Sequence, residues 1–387
     1  ANIELVNSLY TTFCNLTTEI NSKRNKRNEI TKIIKQTKLK ESINELVEQA
    51  RVLKDEIQKA ELELGKIEKE MLQEGLKIPN DTHHEVIVGG QELAKVVKII
   101  GTPLDSTQKR GSIIKDHMTI ARELDLIDLE SASNVTGTSW YYLRNAGALL
   151  ELSLIQYAIH KVISKGYTPI ITPDVVKTEY SDSCGFQPRD GEVSQNYYVV
   201  TSPTGSVGTG NHQETSFTLT GTAEIPLAGI YSNKIIPLSQ LPIRMVGFGR
   251  SFRAEAGSRG QDTKGLYRVH QFSKVEMFCL TSPEESEEML KEIVNIQEEI
   301  VNDLGLYYQS RRLNIRYKSP LSSSYEGTNS DAKQKQQSTE FVHTLNGTAI
   351  AVPRIIIAIL ENFQRDDGKI SIPEVLRKWM GGMEFIE

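Results

Sequence analysis

Two hydrophobic periods divide the chain. In residues 1–76 apolar side chains recur at alternating steps of four and three: Leu39, Ile43, Leu46, Ala50, Leu53, Ile57, Ala60, Leu64, Ile67 and Met71. That spacing keeps one stripe of a helix against a partner helix, as knobs into holes. An upstream seam runs through Leu9, Phe13, Leu16 and Ile20, then polar Lys23 and Arg27, then Ile30 and Ile34. With almost no Gly or Pro in this stretch, the pattern predicts two long helices joined near residues 37–40 as an antiparallel hairpin. A period of two takes over at residues 244–278. RMVGFGRSF (244–252) and LYRVHQFSKVEMF (266–278) alternate and frame a charged loop, 256–265, with three glycines. They predict a β-hairpin. On the second run Arg268, His270 and Glu276 fall on one parity and are expected to share a face.

The rest of the chain fills in around these two patterns. Residues 77–107 read as a linker with turn chemistry at IPND (78–81). The pair His83-His84 has no partner at ligand spacing and is not read as a metal site. Residues 146–166 predict an apolar helix, and 167–176 (YTPIITPDVV) a β-branched strand bounded by prolines, which cannot donate to a ladder. Residues 202–214 are polar and Gly-rich. In LTGTAEIP (219–226) Thr222 is a candidate helix cap. Residues 282–304 predict an acidic amphipathic helix opened by Ser-Pro-Glu-Glu. Residues 319–337 are polar and of low complexity. FVHTLNGTAIAVPR (341–354) predicts a strand, then a turn and a helix with Pro353 in its first turn.

Composition narrows the functional classes. At 387 residues the chain has room for two to three domains, and 38% hydrophobic with 25% charged residues is ordinary for a globular protein. A net charge of −5 argues against indiscriminate polyanion binding, so any nucleic-acid contact must use a local patch. One such patch exists. Lys23, Arg24, Lys26, Arg27, Lys32, Lys35, Lys38 and Lys40 cluster towards the tip of the predicted hairpin, with Glu29 the only acid among them. A basic tip in an acidic protein favours a nucleic-acid partner. Cys14, Cys184 and Cys279 are scattered, so neither a disulfide framework nor a zinc site is indicated. No apolar run reaches membrane-spanning length by inspection, and no membrane partner is expected. The chain starts at Ala1 rather than an initiator Met, as after removal of a leader, and its first residues do not read as a signal or transit peptide.

The hairpin carries the chemistry. Arg253, Glu255, Arg268 and Glu276 put two guanidinium and two carboxylate groups on one strand pair, a set suited to a zwitterionic, phosphate-bearing ligand. The wording FRAEAGS (252–258), DTKGLYRVHQF (262–272) and KVEMF (274–278) resembles motif 2 of class II aminoacyl-tRNA synthetases in its seryl-tRNA synthetase form. Other stretches agree. DHMTIARELDLID (116–128) is similar to the family's domain start, and the helix and strand of 146–176 to motif 1, its dimer element. TAE at 222–224 resembles the family's TxE element, and residues 341–364 resemble motif 3.

The resemblance implies an α+β protein. It has an N-terminal antiparallel coiled-coil arm and linker (1–107) and a class II domain (108–387) with a mostly antiparallel β-sheet flanked by helices. It implies a dimeric serine–tRNA ligase using ATP and Mg2+, with L-serine and tRNA(Ser) as partners. Residue by residue, Arg253 would hold the α-phosphate and the serine side, with Ala254 beside it at the nucleotide. Glu255 would hold the adenine amino group or a metal ion. Arg268 would meet the γ-phosphate, with Val269 adjoining, and Arg354 would stack on adenine. Glu224 and Glu276 would hold the serine ammonium with Thr222 and Ala223 nearby, and Thr348 would face the serine hydroxyl. On the arm Lys23, Arg24, Lys26, Arg27, Lys32, Lys35 and Lys38 would grip tRNA. CGFQP…SQNYY (184–198) and Pro353 are similar to the family's organellar branch, which implies the mitochondrial matrix, or otherwise the cytoplasm.

The resemblance breaks at one place. GLYY (305–308) runs straight into QSRRLNIRY (309–317), where the family has a few dozen residues that supply sheet strands, an ATP-contacting element and part of the serine pocket. That leaves a second reading, a relative that binds tRNA without aminoacylating it.

Overall fold

The computed structural model describes residues 2–36, 40–78, 89, 93, 96–100, 114–186, 196–199, 216–255, 264–306, 308–311 and 341–387. The chain forms two compact units, residues 1–83 and, in the main, residues 84–387. The sequence-based domain boundary at 107/108, the tip residue Lys38, His83-His84 and the loop 256–263 lie outside the described residues.

The first unit is the helical hairpin. α1 (Ile3–Gln36) and α2 (Lys40–Gly75) fold back on each other. Leu16 packs at the level of Leu64 and Ile30 at that of Leu53, so the helices run antiparallel. Ile20, Ile57 and Ala60 are buried between them, and every described member of both seams is buried or half-buried. Lys23 occupies a seam position because its apolar stem lies in the groove while its ammonium reaches Glu19 at 2.8 Å and Glu56 at 3.1 Å.

The second unit begins with a departure from expectation. The linker holds a strand, β1 (Val96–Ile100). α3 (His117–Glu123) is capped by Asp116, whose Oδ1 accepts from the Met118 and Thr119 amides at 2.9 and 3.0 Å. β2 (Ile127–Asp128), α4 (Glu130–Thr136) and β3 (Tyr142–Leu143) lead to α5 (Asn145–Ile163). α5 is long and apolar enough to cross a membrane by length and composition, which corrects the reading from inspection. Its Leu150, Leu154, Ala158 and Val162 instead fill the core of this unit.

The single strand expected over 167–176 is two, β4 (Thr168–Ile171) and β5 (Val175–Lys177), in different sheets. Pro173 has no N–H to donate, and the chain leaves the first sheet there. α6 (Thr178–Ser183), β6 (Tyr198–Val199), β7 (Phe217–Leu219) and α7 (Glu224–Gly229) follow. The hairpin of β8 (Ile243–Phe252) and β9 (Gln271–Thr281) comes next, then α8 (Ser286–Asp303). β10 (Tyr308–Arg311), just past the 305–308 junction, pairs antiparallel with β1. β11 (His343–Ala351) runs directly into α9 (Val352–Asn362), with Pro353 in its first turn. β12 (Ile370–Ser371), α10 (Glu374–Arg377) and β13 (Phe385–Ile386) close the chain.

The main sheet has the order β11-β9-β8-β4. β8/β9 and β9/β11 are antiparallel, and only β4/β8 is parallel. Alternation along β9 sorts its two faces. Val275, Met277 and Cys279 join Leu150 of α5, Ile293 and Ile300 of α8 and Ile356 of α9 in one large core. Phe278 and Leu280 point the other way, into a smaller cluster with Leu227 and Ala223. Each fully buried Leu or Ile contributes about 2 kcal/mol. Three helices therefore hold one face firmly and leave the other for chemistry.

Candidate active site

The open face of the hairpin is floored by glycine. Gly247 and Gly249 of β8 lie across from Glu276 and Lys274 of β9. A Cβ at Gly249 would stand 2.5 Å from Thr172 Oγ1, and one at Gly247 2.7 Å from Leu227 Cδ1. The sequence GFG therefore lets α7 and the residues after β4 approach the sheet, and it leaves Lys274 and Glu276 to project between them.

Those two side chains are the centre of a polar network. Glu276, 1% exposed, accepts at Oε2 from Lys274 Nζ at 2.7 Å and from Thr348 Oγ1 at 2.9 Å. Its Oε1 is buried with no hydrogen-bond partner among the described residues while both carboxyls are ionised, although a protonated Glu224 is within reach to donate to Glu276. Lys274, 7% exposed, also donates to Thr222 Oγ1 at 2.6 Å and lies 3.9 Å from Glu224 Oε1. Asn346 Nδ2 donates to Glu224 Oε1 at 2.6 Å. Burial first, then the negative charge of Glu276, pushes the Glu224 carboxyl up to about 7, while Lys274 and Arg253 pull it down. Thr348 is set by the β11/β9 register, directly across from Glu276, and its carbonyl is held by Gln297 of α8 at 2.8 Å. Thr222 does not cap a helix: α7 starts at Glu224 without a side-chain cap, and the Thr222 hydroxyl goes to Lys274. Ala223 is buried behind it.

Arg253 leaves the end of β8 beside this network. Its Nε donates to Gly221 O at 3.4 Å, and its guanidinium lies over the rings of Phe272 and Phe186 at 5.2 and 5.9 Å. His270 fixes its backbone from both sides: Arg253 N donates to His270 O at 2.9 Å, and His270 Nδ1 lies 3.0 Å from Arg253 O. The guanidinium is thus oriented by flat contacts, with its fork uncommitted to a carboxylate among the described residues.

The expected shared face of Arg268, His270 and Glu276 is not found. The strand starts only at Gln271, so the parity argument fails for the first two. Glu255 takes a left-handed backbone, φ 46°, and its carboxylate meets Arg268 at 3.6 Å. This pair and Ala254 form a group next to Arg253. Val269 is buried in the core. Arg354, in the first turn of α9, is exposed and makes no polar contact among the described residues. Among the described residues no group of three or more acidic, His or Cys side chains is placed to hold a metal.

Lys274 and Asn346 were missed at the sequence level. Each stands two residues before a predicted site residue on the same strand, Glu276 and Thr348, and that parity was the available signal. On the arm, Lys23 is bridged by two glutamates, and Arg24 pairs with Glu61 of α2 at 2.7 Å. Lys26, Arg27, Lys32 and Lys35 have no ion pair among the described residues.

A buried carboxylate with one open oxygen, two hydroxyls and a second carboxylate suit a primary ammonium next to a hydroxyl. An arginine at the rim suits a carboxylate or phosphate. Comparison with known proteins agrees. Residues 1–82 match the seryl-tRNA synthetase N-terminal domain, and residues 206–328 the tRNA synthetase class II core domain (G, H, P, S and T). The serine–tRNA ligase of Rhodopirellula baltica is 36% identical across 92% of this chain and 86% of its own. The mitochondrial serine–tRNA ligase of Saccharomyces cerevisiae is 34% identical across 93% and 83%. The crystal structure of seryl-tRNA synthetase from Pyrococcus horikoshii complexed with ATP matches with a TM-score of 0.73 at 29% identity, covering 98% of this chain and 92% of that one. The chain belongs to the seryl-tRNA synthetase family of class II aminoacyl-tRNA synthetases.

Proposed function

We propose that this chain is a serine–tRNA ligase, which activates L-serine with ATP to seryl-adenylate and passes serine to the 3′ end of tRNA(Ser). The observation that carries the reading is the buried Oε1 of Glu276, which has no hydrogen-bond partner among the described residues. A buried carboxylate oxygen without a donor is costly, and a substrate ammonium offsets that cost. Glu224 supplies a second acceptor. Thr348 has donated its proton to Glu276, so its oxygen accepts the proton of the serine hydroxyl. Alanine leaves that lone pair unfilled, and threonine adds a methyl against packed surface.

The reaction needs positioning and charge neutralisation more than acid–base groups. The serine carboxylate oxygen attacks the α-phosphorus, the bond to the β-phosphate oxygen breaks, and diphosphate leaves. Arg253 stabilises the added charge at the α-phosphate. A ribose hydroxyl of tRNA then attacks the acyl carbon and AMP leaves. Arg268 and Glu255, paired here at 3.6 Å, separate to meet the γ-phosphate and the adenine amino group or a metal ion. Arg354 is free to stack on the base. Glu255 would hold a bound Mg2+, which would supply neutralisation of phosphate charge.

Two further readings rest on the same family. The protein is a homodimer through the motif 1 elements: β4 is an outer strand of the main sheet, Ile171 on it is 85% exposed, and Leu149 and Leu152 of α5 are exposed as well. Its compartment is the mitochondrial matrix, supported by the organellar wording at 184–198 and the yeast mitochondrial relative. A silent tRNA-binding relative is not favoured, since the serine-side groups stand in one connected network. Serine-dependent ATP–pyrophosphate exchange tests the ligase. Exchange with serine and none with alanine or threonine supports it, and no exchange with any amino acid refutes it.

A further inference from the structure

We propose that Lys274 is a positioning residue for serine: an internal counter-ion that locks Glu276 so that one carboxylate oxygen faces the substrate ammonium. The inference rests on the ligase reading above and adds a residue to it. Three observations carry it. Lys274 is almost fully buried, yet it meets Glu276 Oε2 at 2.7 Å, Thr222 Oγ1 at 2.6 Å and Glu224 Oε1 at 3.9 Å. Together with Thr348 it saturates Oε2 of Glu276, and among the described residues Oε1 is left without a donor. The glycine across from it, Gly249, has no room for a side chain, so Lys274 reaches the site unobstructed and cannot be replaced from the neighbouring strand.

The arrangement sets charge as well as direction. Glu224 and Glu276 face each other with Lys274 of β9 between them. The other groups turned towards Glu224 are Arg253 after β8, Asn346 of β11 and Cys184 after α6. With Glu224 ionised, the two carboxylates and Lys274 leave one negative charge for the serine ammonium to cancel, while the Arg253 guanidinium serves the serine carboxylate and the α-phosphate. Lys274 also takes a lone pair of Thr222, so the Thr222 proton is free to be donated to the ligand. Without the lysine the two carboxylates share a proton at neutral pH, and the ammonium must displace it.

The test uses the full chain as wild type, Lys274→Met and Lys274→Arg, each with its thermal unfolding midpoint measured. KM for serine and KM for ATP are taken separately from ATP–pyrophosphate exchange between pH 6 and 9. Removing one partner of a buried, hydrogen-bonded charge pair predicts a rise in the serine KM of K274M of about 30-fold or more at pH 7. Its ATP KM stays within about twofold of wild type, because the lysine touches only the serine side. The pH midpoint of serine kcat/KM moves up by about one unit or more as the carboxylates lose their counter-ion, so part of the loss returns towards pH 9. K274R keeps the wild-type midpoint and raises the serine KM. A folded K274M with unchanged serine KM and midpoint overturns the proposal, as does an equal rise in both KM values with no movement of the midpoint. If K274M does not fold, K274R decides: a wild-type serine KM overturns the proposal. Failure of the wild type itself to exchange with serine refutes the ligase reading, a result distinct from any difference among variants.

Discussion

Glu276 has one carboxylate oxygen committed to Lys274 and Thr348 and one with no partner among the described residues. Replacing it by Gln keeps the shape and removes the charge, which also strands Lys274. The expected result is a loss of about 100-fold or more in kcat/KM for serine, with ATP affinity little changed; exchange kinetics at varied serine and varied ATP check it. Glu224 gives a pH signature. Its carboxyl titrates near 7 in the folded protein against an ordinary 4.5, so its stabilising contribution is present below about pH 4.5 and is lost as pH rises through 7. In the proposed site serine binds the ionised form. Serine-dependent exchange should therefore fall as pH drops below 7, and thermal protection by serine should grow between pH 6 and 8. A flat profile across that window would contradict the assignment. The order of residues around Thr222, Glu224, Glu276 and Thr348 named them as candidates, and the fold gathers these four around Lys274. Lys274 was not, because its burial is created by glycines on another strand. The Glu255–Arg268 pair was not either, since a left-handed residue after β8 redirects the chain, and alternation cannot see that turn.

The elements that hold these residues were legible in proportion to their periodicity. Both helical seams are buried or half-buried wherever described, because a repeat of 3.5 admits one packing face. The β8–β9 hairpin is where alternation placed it, less the five residues before Gln271. The strand in the linker, β1, pairs with residues more than two hundred positions away, and five residues of local sequence cannot announce such a partner. α3 illustrates a long-range anchor. Asp116 caps it and meets Lys264 at the far stem of the motif 2 loop at 3.0 Å, and the Asp116 carboxyl is held down at about 2, chiefly by Lys264. His117, 1% exposed, joins that stem to α9: its ring accepts from the Leu266 amide at 3.4 Å and meets Glu361 at 2.9 Å. Asp116→Ala should cost about 1 kcal/mol in thermal unfolding from the lost cap alone. It should also raise the KM for ATP, since the loop stem is released, while the serine KM stays put. Equal changes in both KM values would contradict that division.

At the scale of the whole molecule, the arm and the sheet domain make separable predictions. Lys23 and Arg24 are spoken for by Glu19, Glu56 and Glu61, whereas Lys26, Arg27, Lys32 and Lys35 are available to phosphate. Lys32→Glu with Lys35→Glu should weaken tRNA binding and flatten its dependence on salt by about two ions' worth of slope, leaving exchange without tRNA unchanged. Lys23→Ala should lower the stability of the arm instead; filter binding at several salt concentrations separates the two. Leu152→Glu, on the exposed face of α5, should shift the protein from dimer towards monomer in light scattering if motif 1 forms the interface. The break in the family pattern at residues 305–308 bears most directly on the ligase reading, because the family segment with no counterpart there supplies an ATP-contacting element and part of the serine pocket, while Thr222, Lys274, Glu276 and Thr348 stand in one connected network. The measurement that tests the reading is ATP–pyrophosphate exchange by the purified chain with serine, threonine or alanine, using Arg253→Ala as the blank. A serine–tRNA ligase shows exchange with serine alone, abolished in the variant; a folded wild-type protein with no serine-dependent exchange is not one.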